Sequence, residues 1–496
     1  MNCRILIICF FLYSCHTQQI KEPRPTSDIM NVMPNHFVSF AIDLAQIAGG
    51  KWWEGSSDFS MGRGGKNSNK LNFKREKLVA LTSSLSPSII RAGGSEADSI
   101  YYGLDEDESI PKGFQTTLSK RTWDDFYEFT RTTGNIPLFT LNIGPGYRKN
   151  NQLSFVHFHK FFSYLRTHQQ DMRYFELGNE LNAFFLNYGL SGQVSAKQYA
   201  GEYLKVKKIL KSYFPKSKLL GPANAFWPFF GEVFSSFSTS SKDIVKYLKN
   251  HLDILSWHFY PTQSHRCPVN VNRASEYSMT HPTTIGAIDK ISEEVREMTK
   301  RDGIESWLGE TGPAQCGGEP SVSTSFSSSL WWIDFIGKIS QTNNKVMIRQ
   351  TLIGSDYGII DNETLNVRHD FLSTYLFKSL RARRSLNLVG DRDHVYSYCS
   401  KDGVHHLLIV NMKQKNVEYN LSYFMDNNSY NAIVIDELTS KSIIDKINKA
   451  NQFDTSMIEE DITRMDIGKT LLIKKRAYAI LSSKNKSSIC SSLVAK

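Results

Sequence analysis

The sequence predicts an α/β fold, a (β/α)8 TIM barrel with a C-terminal β-sandwich, on three observations. Eight short strand-like runs alternate with stretches of helical periodicity, the pattern of βα units around a parallel sheet. After about residue 378 the helical spacing fades into short alternating segments such as 395–398, 406–410 and 477–481, which read as an all-β appendage. Two of the eight runs end in glutamates, Glu180 in FELGNE and Glu310 in WLGET, and strand carboxyl ends are where a closed barrel builds its active site.

The eight runs are residues 37–43, 89–93, 136–142, 174–179, 218–222, 254–260, 306–310 and 346–352. Between them, Tyr199, Tyr203, Val206, Leu210 and Phe214 recur every three or four residues while Lys205, Lys207, Lys208 and Lys211 lie off that stripe. This spacing predicts an outer-ring helix with a solvated lysine face. A barrel over residues 36–376 and a sandwich over 377–496 are expected, with a strand from residues 18–35 as a further member of the sandwich. The 496 residues, 40% hydrophobic, are enough for a large core and a smaller second domain.

At the amino terminus Arg4, the apolar run 5–13 and the small residues Ser14 and Cys15 have the order of a secretory signal, expected over residues 1–17. That run is shorter than the ~18 apolar residues that span a bilayer, and no later stretch qualifies, so no transmembrane segment is expected. The expected location is secreted, extracellular or lysosomal. Removing Cys3, Cys9 and Cys15 with the signal leaves Cys267, Cys316, Cys399 and Cys490, which pair in three ways. The expected pairs are Cys399 with Cys490, tying the last strand to an earlier one, and Cys267 with Cys316; free buried thiols are the alternative. Sequons at Asn362, Asn420, Asn427 and Asn485 agree with export.

The formal charge of +10, from 59 basic and 49 acidic residues, favours polyanionic partners. No zinc-finger, phosphate-loop or base-stacking signature points to nucleic acid. No His-Glu-x-x-His or comparable ligand cluster points to a metal, and no cofactor is expected. A monomer is expected.

Two carboxyl groups converging on one bond are what a retaining glycosidase needs, one to protonate the departing sugar oxygen and one to attack the anomeric carbon. A lone glutamate at a strand end reads as a salt-bridged terminus; the pair argues for chemistry. Asn179, beside Glu180, is placed to hold a sugar 2-hydroxyl. In the sixth run Tyr260 is placed to donate to Glu310, and His258 to hold the same glutamate from the side, a buried core histidine being the alternative.

The segments 85–95 (LSPSIIRAGGS), 175–184 (FELGNELNAF), 256–260 (SWHFY), 307–318 (WLGETGPAQCGG), 346–361 (VMIRQTLIGSDYGIID) and 477–490 together resemble glycoside hydrolase family 79, the heparanase-like enzymes. The resemblance spans nearly the whole chain after the signal. It implies a barrel with a β-sandwich, retaining chemistry, and endo-β-glucuronidase action on heparan sulfate or a related glycosaminoglycan. By position it makes Glu180 the acid/base and Glu310 the nucleophile. It sets Asp43, Ser95, Asn179, His258, Tyr260, Gly317, Gln350 and Tyr357 around the sugar, with Gly317 and Tyr357 as the grip on the uronate carboxylate, a role that turn N–H groups and a phenol can fill.

The sequence departs from the family pattern at Leu181, Cys316 and Ser355, and in the aromatic stretch 221–230, where Pro228 aligns with a basic residue that grips sulfated sugar. Phe226 and Trp227 are expected to stack on a sugar face instead. Trp52, Trp53, Lys51, Arg63, Lys66, Lys112, Lys120 and Arg121 are further candidates for the rim. Only 20 residues separate Tyr102 from Trp123, where the animal enzymes carry a longer excised insert, so action as a single uncut chain is expected. The alternatives to internal cleavage are an exo-β-glucuronidase on another glycan and a non-catalytic protein that binds heparan sulfate.

Overall fold

All eight runs become strands of one closed parallel barrel: Val38–Asp43, Ile89–Gly93, Ile136–Leu141, Tyr174–Leu177, Lys218–Phe226, Ile254–Phe259, Glu305–Thr311 and Asn344–Arg349. Each strand pairs with its neighbours in sequence, and the eighth closes on the first through Met347 beside Val38. The computed structural model describes residues 24–52, 66–105, 109–232, 239–268, 270–390, 393–424 and 429–494. The expected leader, Trp53, Arg63 and the sequon Asn427 lie outside these residues.

Because side chains alternate across a strand, every second residue of each run faces the barrel axis. At the amino-terminal end these are Ile89, Leu138, Leu220, Ile254, Trp307 and Val346, a wholly buried apolar plug. One layer higher the inward residues turn polar: Arg91, Thr140, Glu176 and Ser256, all without solvent exposure. Barrel interiors are filled by such layers. Here the middle layer is a charged platform beneath the open end. The outer-ring helix Ala196–Tyr213 buries Tyr199, Tyr203, Val206 and Leu210 as its spacing predicts, and Lys207 pairs with Asp253 at 2.6 Å.

The appendage is a seven-stranded antiparallel sheet backed by a two-stranded ribbon. Strand Arg24–Val32 forms one edge by pairing with Ala382–Val389. The ribbon joins Val417–Asn420 to Thr470–Ile473 and closes a second core in which Leu407, Ile409 and Leu481 meet Leu421, Phe424 and Ile473. The appendage is not all-β, however. Residues Glu437–Lys449 form a helix whose first turn is capped by Asp436, and its Ile443, Ile444 and Ile447 are buried. That helix reaches the barrel helix His369–Ser379 through a 2.7 Å contact between Ser440 and His369. The spacing of those isoleucines is the helical signal, which the alternating runs around it obscure.

Asp334, buried in the barrel helix Phe326–Ser340, accepts from the Tyr396 hydroxyl at 2.8 Å and meets the His394 ring at 2.9 Å, so the two units share a polar seam. Two disulfides are present, Cys267–Cys316 and Cys399–Cys490. Cys490 lies in the short helix Ser488–Val494 that follows the last strand, so the bond fastens this helix, rather than the strand itself, to Val395–Ser400. Asn485 is exposed, whereas Asn362 and Asn420 are half-buried. Among the described residues no helix is long and apolar enough to cross a membrane.

The Cys399–Cys490 bond spans 91 residues. Replacing both cysteines by alanine is expected to lower stability by about 4 kcal/mol, because the unfolded chain regains the entropy of that loop. Denaturant unfolding of the double variant measures the change.

Candidate active site

The carboxyl ends of the strands converge on a pocket of about 110 Å³, and Asp43, Ser95, Glu180, Tyr260, Glu310, Gln350 and Tyr357 line it. Glu180 and Glu310 face each other across it. Their nearest carboxylate oxygens and a ring nitrogen of His258 all lie within 4.8 Å of one another.

Glu180 arrives there by a sharp turn at the end of the fourth strand. Gly178 has φ +76°, a conformation that strains any residue with a side chain, and a Cβ on it would stand 2.6 Å from the Ile143 side chain and force that chain to shift. Glu180 itself has φ +49°, an unusual conformation for a residue with a side chain, and its N–H is anchored at 2.9 Å on the Ala223 carbonyl. The turn leaves the Glu180 side chain 13% exposed, open to a ligand, while Glu310 is 9% exposed at the edge of the seventh strand.

Glu310 is held from three sides. Tyr260 donates to one of its oxygens at 2.7 Å and Arg91 to the other at 2.8 Å. His258 lies 3.8 Å from it. Burial pushes the Glu310 carboxyl up, but His258, the Arg91 charge and the two hydrogen bonds outweigh it and hold the group below its ordinary value of 4.5. His258 thus stands beside Glu310 as expected, and its Nδ1 also lies 3.2 Å from Glu180, so the ring bridges the two carboxyls. The ring is fully buried and its Nε2 has no partner among the described residues.

Arg91 is the functional residue that motif reasoning overlooks. Its Nε donates to Glu176 at 2.7 Å, one terminal nitrogen to Glu310 at 2.8 Å and the other to the Asn179 side-chain carbonyl at 2.8 Å. Glu176 also accepts from Thr140 at 2.9 Å and Ser256 at 2.6 Å, so its position is fully determined. The arginine thereby orients the Asn179 amide with its NH2 group left for a ligand. Asp98 completes the support: its carboxylate accepts from the backbone N–H groups of Asn179 and Ile143, each at 2.8 Å, and burial raises it to about 7 against those two bonds. The signal for this network is an arginine and a glutamate on the inward face of apolar strands, where a charge persists only with a partner.

On the opposite wall Asp43 caps the short helix Leu44–Ala48 through a 3.0 Å bond from Ala45 and accepts from Gln350 at 3.4 Å. Burial, together with the charges of Glu96 and Glu310, holds Asp43 well above the ordinary carboxylate range despite the bond from Ala45. Gly94 has to be glycine, since a Cβ there would meet the Asp43 carboxylate at 2.3 Å. Gln350 donates to the Tyr357 hydroxyl at 3.3 Å, which leaves the phenol's own hydrogen for the pocket. Burial pushes both Tyr260 and Tyr357 well above 10, so each remains a neutral donor.

The turn through Gly317 packs against the loop that carries Tyr357: Ser355 Oγ donates to the Gly317 carbonyl at 2.8 Å and the Asp356 N–H at 2.9 Å. Gly317 is buried and is not among the described residues lining the pocket, whereas Gln315 and Cys316, which precede it in the same turn, are. The Cys267–Cys316 disulfide is therefore part of the pocket wall. Trp227 also lines the pocket, but Phe226 is 2% exposed with its ring packed edge-on to Trp257, so it cannot stack on a sugar. Lys51, Lys112, Lys120 and Arg121 are not among the described residues lining the pocket, and Arg121 sits on an outer helix 3.9 Å from Asp125; the side chains of Trp52 and Lys66 lie outside the described structure.

The Glu180, His258 and Glu310 atoms are close enough to hold a cation. Arg91 already places a positive charge on Glu310, which opposes a divalent ion there. Two carboxyl groups at this spacing, one fixed by donors and one open to the ligand, are suited to a double displacement with proton transfer.

The model of "Glycosyl hydrolase family 79, N-terminal domain" matches residues 47–337. Heparanase-like protein 1 of Arabidopsis thaliana is 25% identical over 404 residues, 76% of this chain and 71% of that protein. The hyaluronoglucuronidase of Hirudo nipponia is 23% identical over 418 residues, 74% of this chain and 81% of its own. Among solved structures an arabinofuranosidase superposes with a TM-score of 0.62 at 13% identity, covering 94% of this chain and all of that one, a likeness of fold.

Arg91→Met leaves Glu176 and Glu310 buried without their cation. A loss of about 3–5 kcal/mol in unfolding free energy is expected, measurable by denaturant titration. Because the folded-state value of Glu310 is lowered, its contribution to stability is complete above 4.5 and is lost as the pH falls through the folded value. The acid limb of any activity that needs ionised Glu310 is accordingly expected below pH 4.5. Tyr260→Phe, which removes one donor, is expected to move that limb upward in a pH–rate profile.

Proposed function

Because the chain belongs to glycosyl hydrolase family 79, we propose that this glycoside hydrolase is a retaining β-glucuronidase that cuts within a glucuronate-containing glycosaminoglycan of the heparan sulfate class. The observation that carries the reading is the close approach of Glu180 and Glu310, whose oxygens lie within 4.8 Å. Retaining enzymes hold their carboxyl groups about 5–5.5 Å apart, whereas inverting ones leave roughly 6.5–9.5 Å for a water molecule.

In the proposed sequence Glu310 attacks the anomeric carbon as the glycosidic C–O bond breaks, and Glu180 gives its proton to the departing oxygen. A water molecule then gives its proton to Glu180 and its oxygen to the anomeric carbon, releasing Glu310. Asn179 holds the 2-hydroxyl, and Tyr357 with the N–H groups of the 316–318 turn binds the uronate carboxylate. These donors are neutral, so they grip the carboxylate without competing with Arg91 for Glu310. The intact support of both glutamates favours an enzyme over a glycan-binding protein. Export through a leader at residues 1–17, N-glycosylation, and action as an uncut monomer belong to the same proposal, with the barrel at 36–376 and the sandwich at 377–496.

One observation favours a second reading of the substrate. No lysine or arginine is among the described residues lining the pocket, and Trp227, Leu186 and Ala183 give the Glu180 side an apolar wall. Such a wall suits an unsulfated sugar or the aglycone of a simple glucuronide, which would be released by exo action.

Incubation with heparan sulfate and, separately, with an unsulfated glucuronan decides between the readings. Early loss of long chains is the expected result; steady release of monosaccharide would establish exo action, and no cleavage of either polymer would refute action on a glycosaminoglycan. Glu310→Gln is expected to reduce turnover by roughly 10³-fold or more. Glu180→Gln is expected to slow sugar release by about 10²–10⁴-fold, and release of a nitrophenol, which leaves without a proton, much less.

A further inference from the structure

We propose that the cleft between the floor of the barrel and the antiparallel sheet is a second binding site, distinct from the catalytic pocket, for a segment of anionic oligosaccharide. The choice of ligand rests on the glycosidase reading above; the site itself rests on shape, charge and an unsatisfied buried group.

The cleft has two adjoining chambers of about 580 and 680 Å³ that share Ser86, Lys378, Arg381 and Asp402. Both lie within the range of about 300–1,000 Å³ typical of ligand sites, and each is several times larger than the pocket between the glutamates. Phe37, Val38, Ser86 and Pro87 form the barrel side. These residues precede or begin the first two barrel strands, so the cleft opens at the end of the barrel opposite to Glu180 and Glu310.

Its charge is cationic. Arg381, Arg383 and Lys401 line the second chamber, none of them in an ion pair with a described carboxylate, and Asp402 is the one acid among the described residues lining it. In the first chamber Glu459 is already engaged by Arg464 at 3.5 Å and by the Tyr375 hydroxyl at 3.0 Å. Lys378 contributes its stem only: its amine points into the floor and donates to the Val38 and Pro87 carbonyls and the Ser88 hydroxyl at 2.9–3.0 Å. The positive charge missing from the catalytic pocket is thus concentrated here, where arginine forks suit carboxylate or sulfate groups.

His406 supplies the independent observation. It is 5% exposed and lines the first chamber; its Nδ1 meets Ser482 Oγ at 2.8 Å, while Nε2 is buried with no partner among the described residues. Buried polar atoms are almost always paired, so an unpaired one on a side chain that lines a cavity is a group a ligand reaching it would satisfy. Burial pushes the imidazole down to about 4, leaving it neutral at ordinary pH and able to exchange a hydrogen bond with a hydroxyl. Ser84, Ser400 and Asn431 add hydroxyl and amide groups nearby, and Tyr375 is the one phenol among the described residues lining this chamber. Cations at the rim with hydroxyls and a neutral imidazole inside fit a polyhydroxylated anion better than a flat aromatic one.

The test uses the full chain carrying Glu310→Gln, so that the ligand is not consumed, titrated calorimetrically with a sulfated, uronate-containing hexasaccharide. Two binding events are expected. Adding Arg381→Ala, Arg383→Ala and Lys401→Ala is expected to weaken one event at least tenfold and leave the other intact. In imidazole-labelled protein the His406 resonance is expected to shift on titration, including when a small glucuronide already fills the catalytic pocket. A single event untouched by the triple substitution, or an unmoved His406 resonance, would overturn the proposal. Inorganic sulfate at matched concentration reproducing the full effect would also overturn it, by showing a general anion site. Loss of the catalytic event with the cleft event retained would support the cleft and count against the glucuronidase reading alone.

Discussion

The Arg91 side chain is the interaction on which the rest of the active site depends. One guanidinium, buried at the centre of the barrel, holds Glu176 below it, Glu310 above it and Asn179 beside it. Its planar fork sets three donors in fixed directions, so the position of one group determines the others. A lysine could satisfy the charge but not that geometry. The cost of burying the ions is offset by their mutual attraction and by Thr140, Ser256 and Tyr260, which occupy much of the remaining hydrogen-bonding capacity of the two carboxylates.

The two glutamates differ because of what surrounds them. Glu310 is immobilised by a phenol and an arginine, and the environment favours its charge. Glu180 is more open, reached by a left-handed turn, and among the described residues His258 is the one ionisable group within ion-pair distance of it. Two chemically identical side chains are thereby suited to different parts in a reaction that needs one ionised and one proton-bearing carboxyl group. The apolar plug below Arg91 isolates this arrangement from the barrel floor.

The sandwich is built into the barrel rather than appended to it. Its edge strand comes from residues before the barrel, its sheet meets Asp334 of an outer helix, and its own helix returns to the barrel helix His369–Ser379. Joining chain segments from both ends of the protein creates the cleft at the barrel floor and collects cations there.

The sequence by itself determined the eight strands, the placement of Glu180 and Glu310 at strand ends, and the cysteines available for pairing. Each of these is a local property: hydrophobic spacing selects the strand, and chain order around a parallel sheet selects the rim. Residues such as Tyr260 were legible because a strand-end motif carries them. What tertiary structure decided was which side chains meet. Arg91 and Glu176 are 85 positions apart, and their pairing exists because closing the barrel brings alternate inward faces together at the same height. The same closure turned His258 toward Glu180, buried Phe226 against Trp257 and brought Cys316 into the pocket wall. Distances across a closed sheet depend on stagger and layer, and no stretch of sequence encodes those alone.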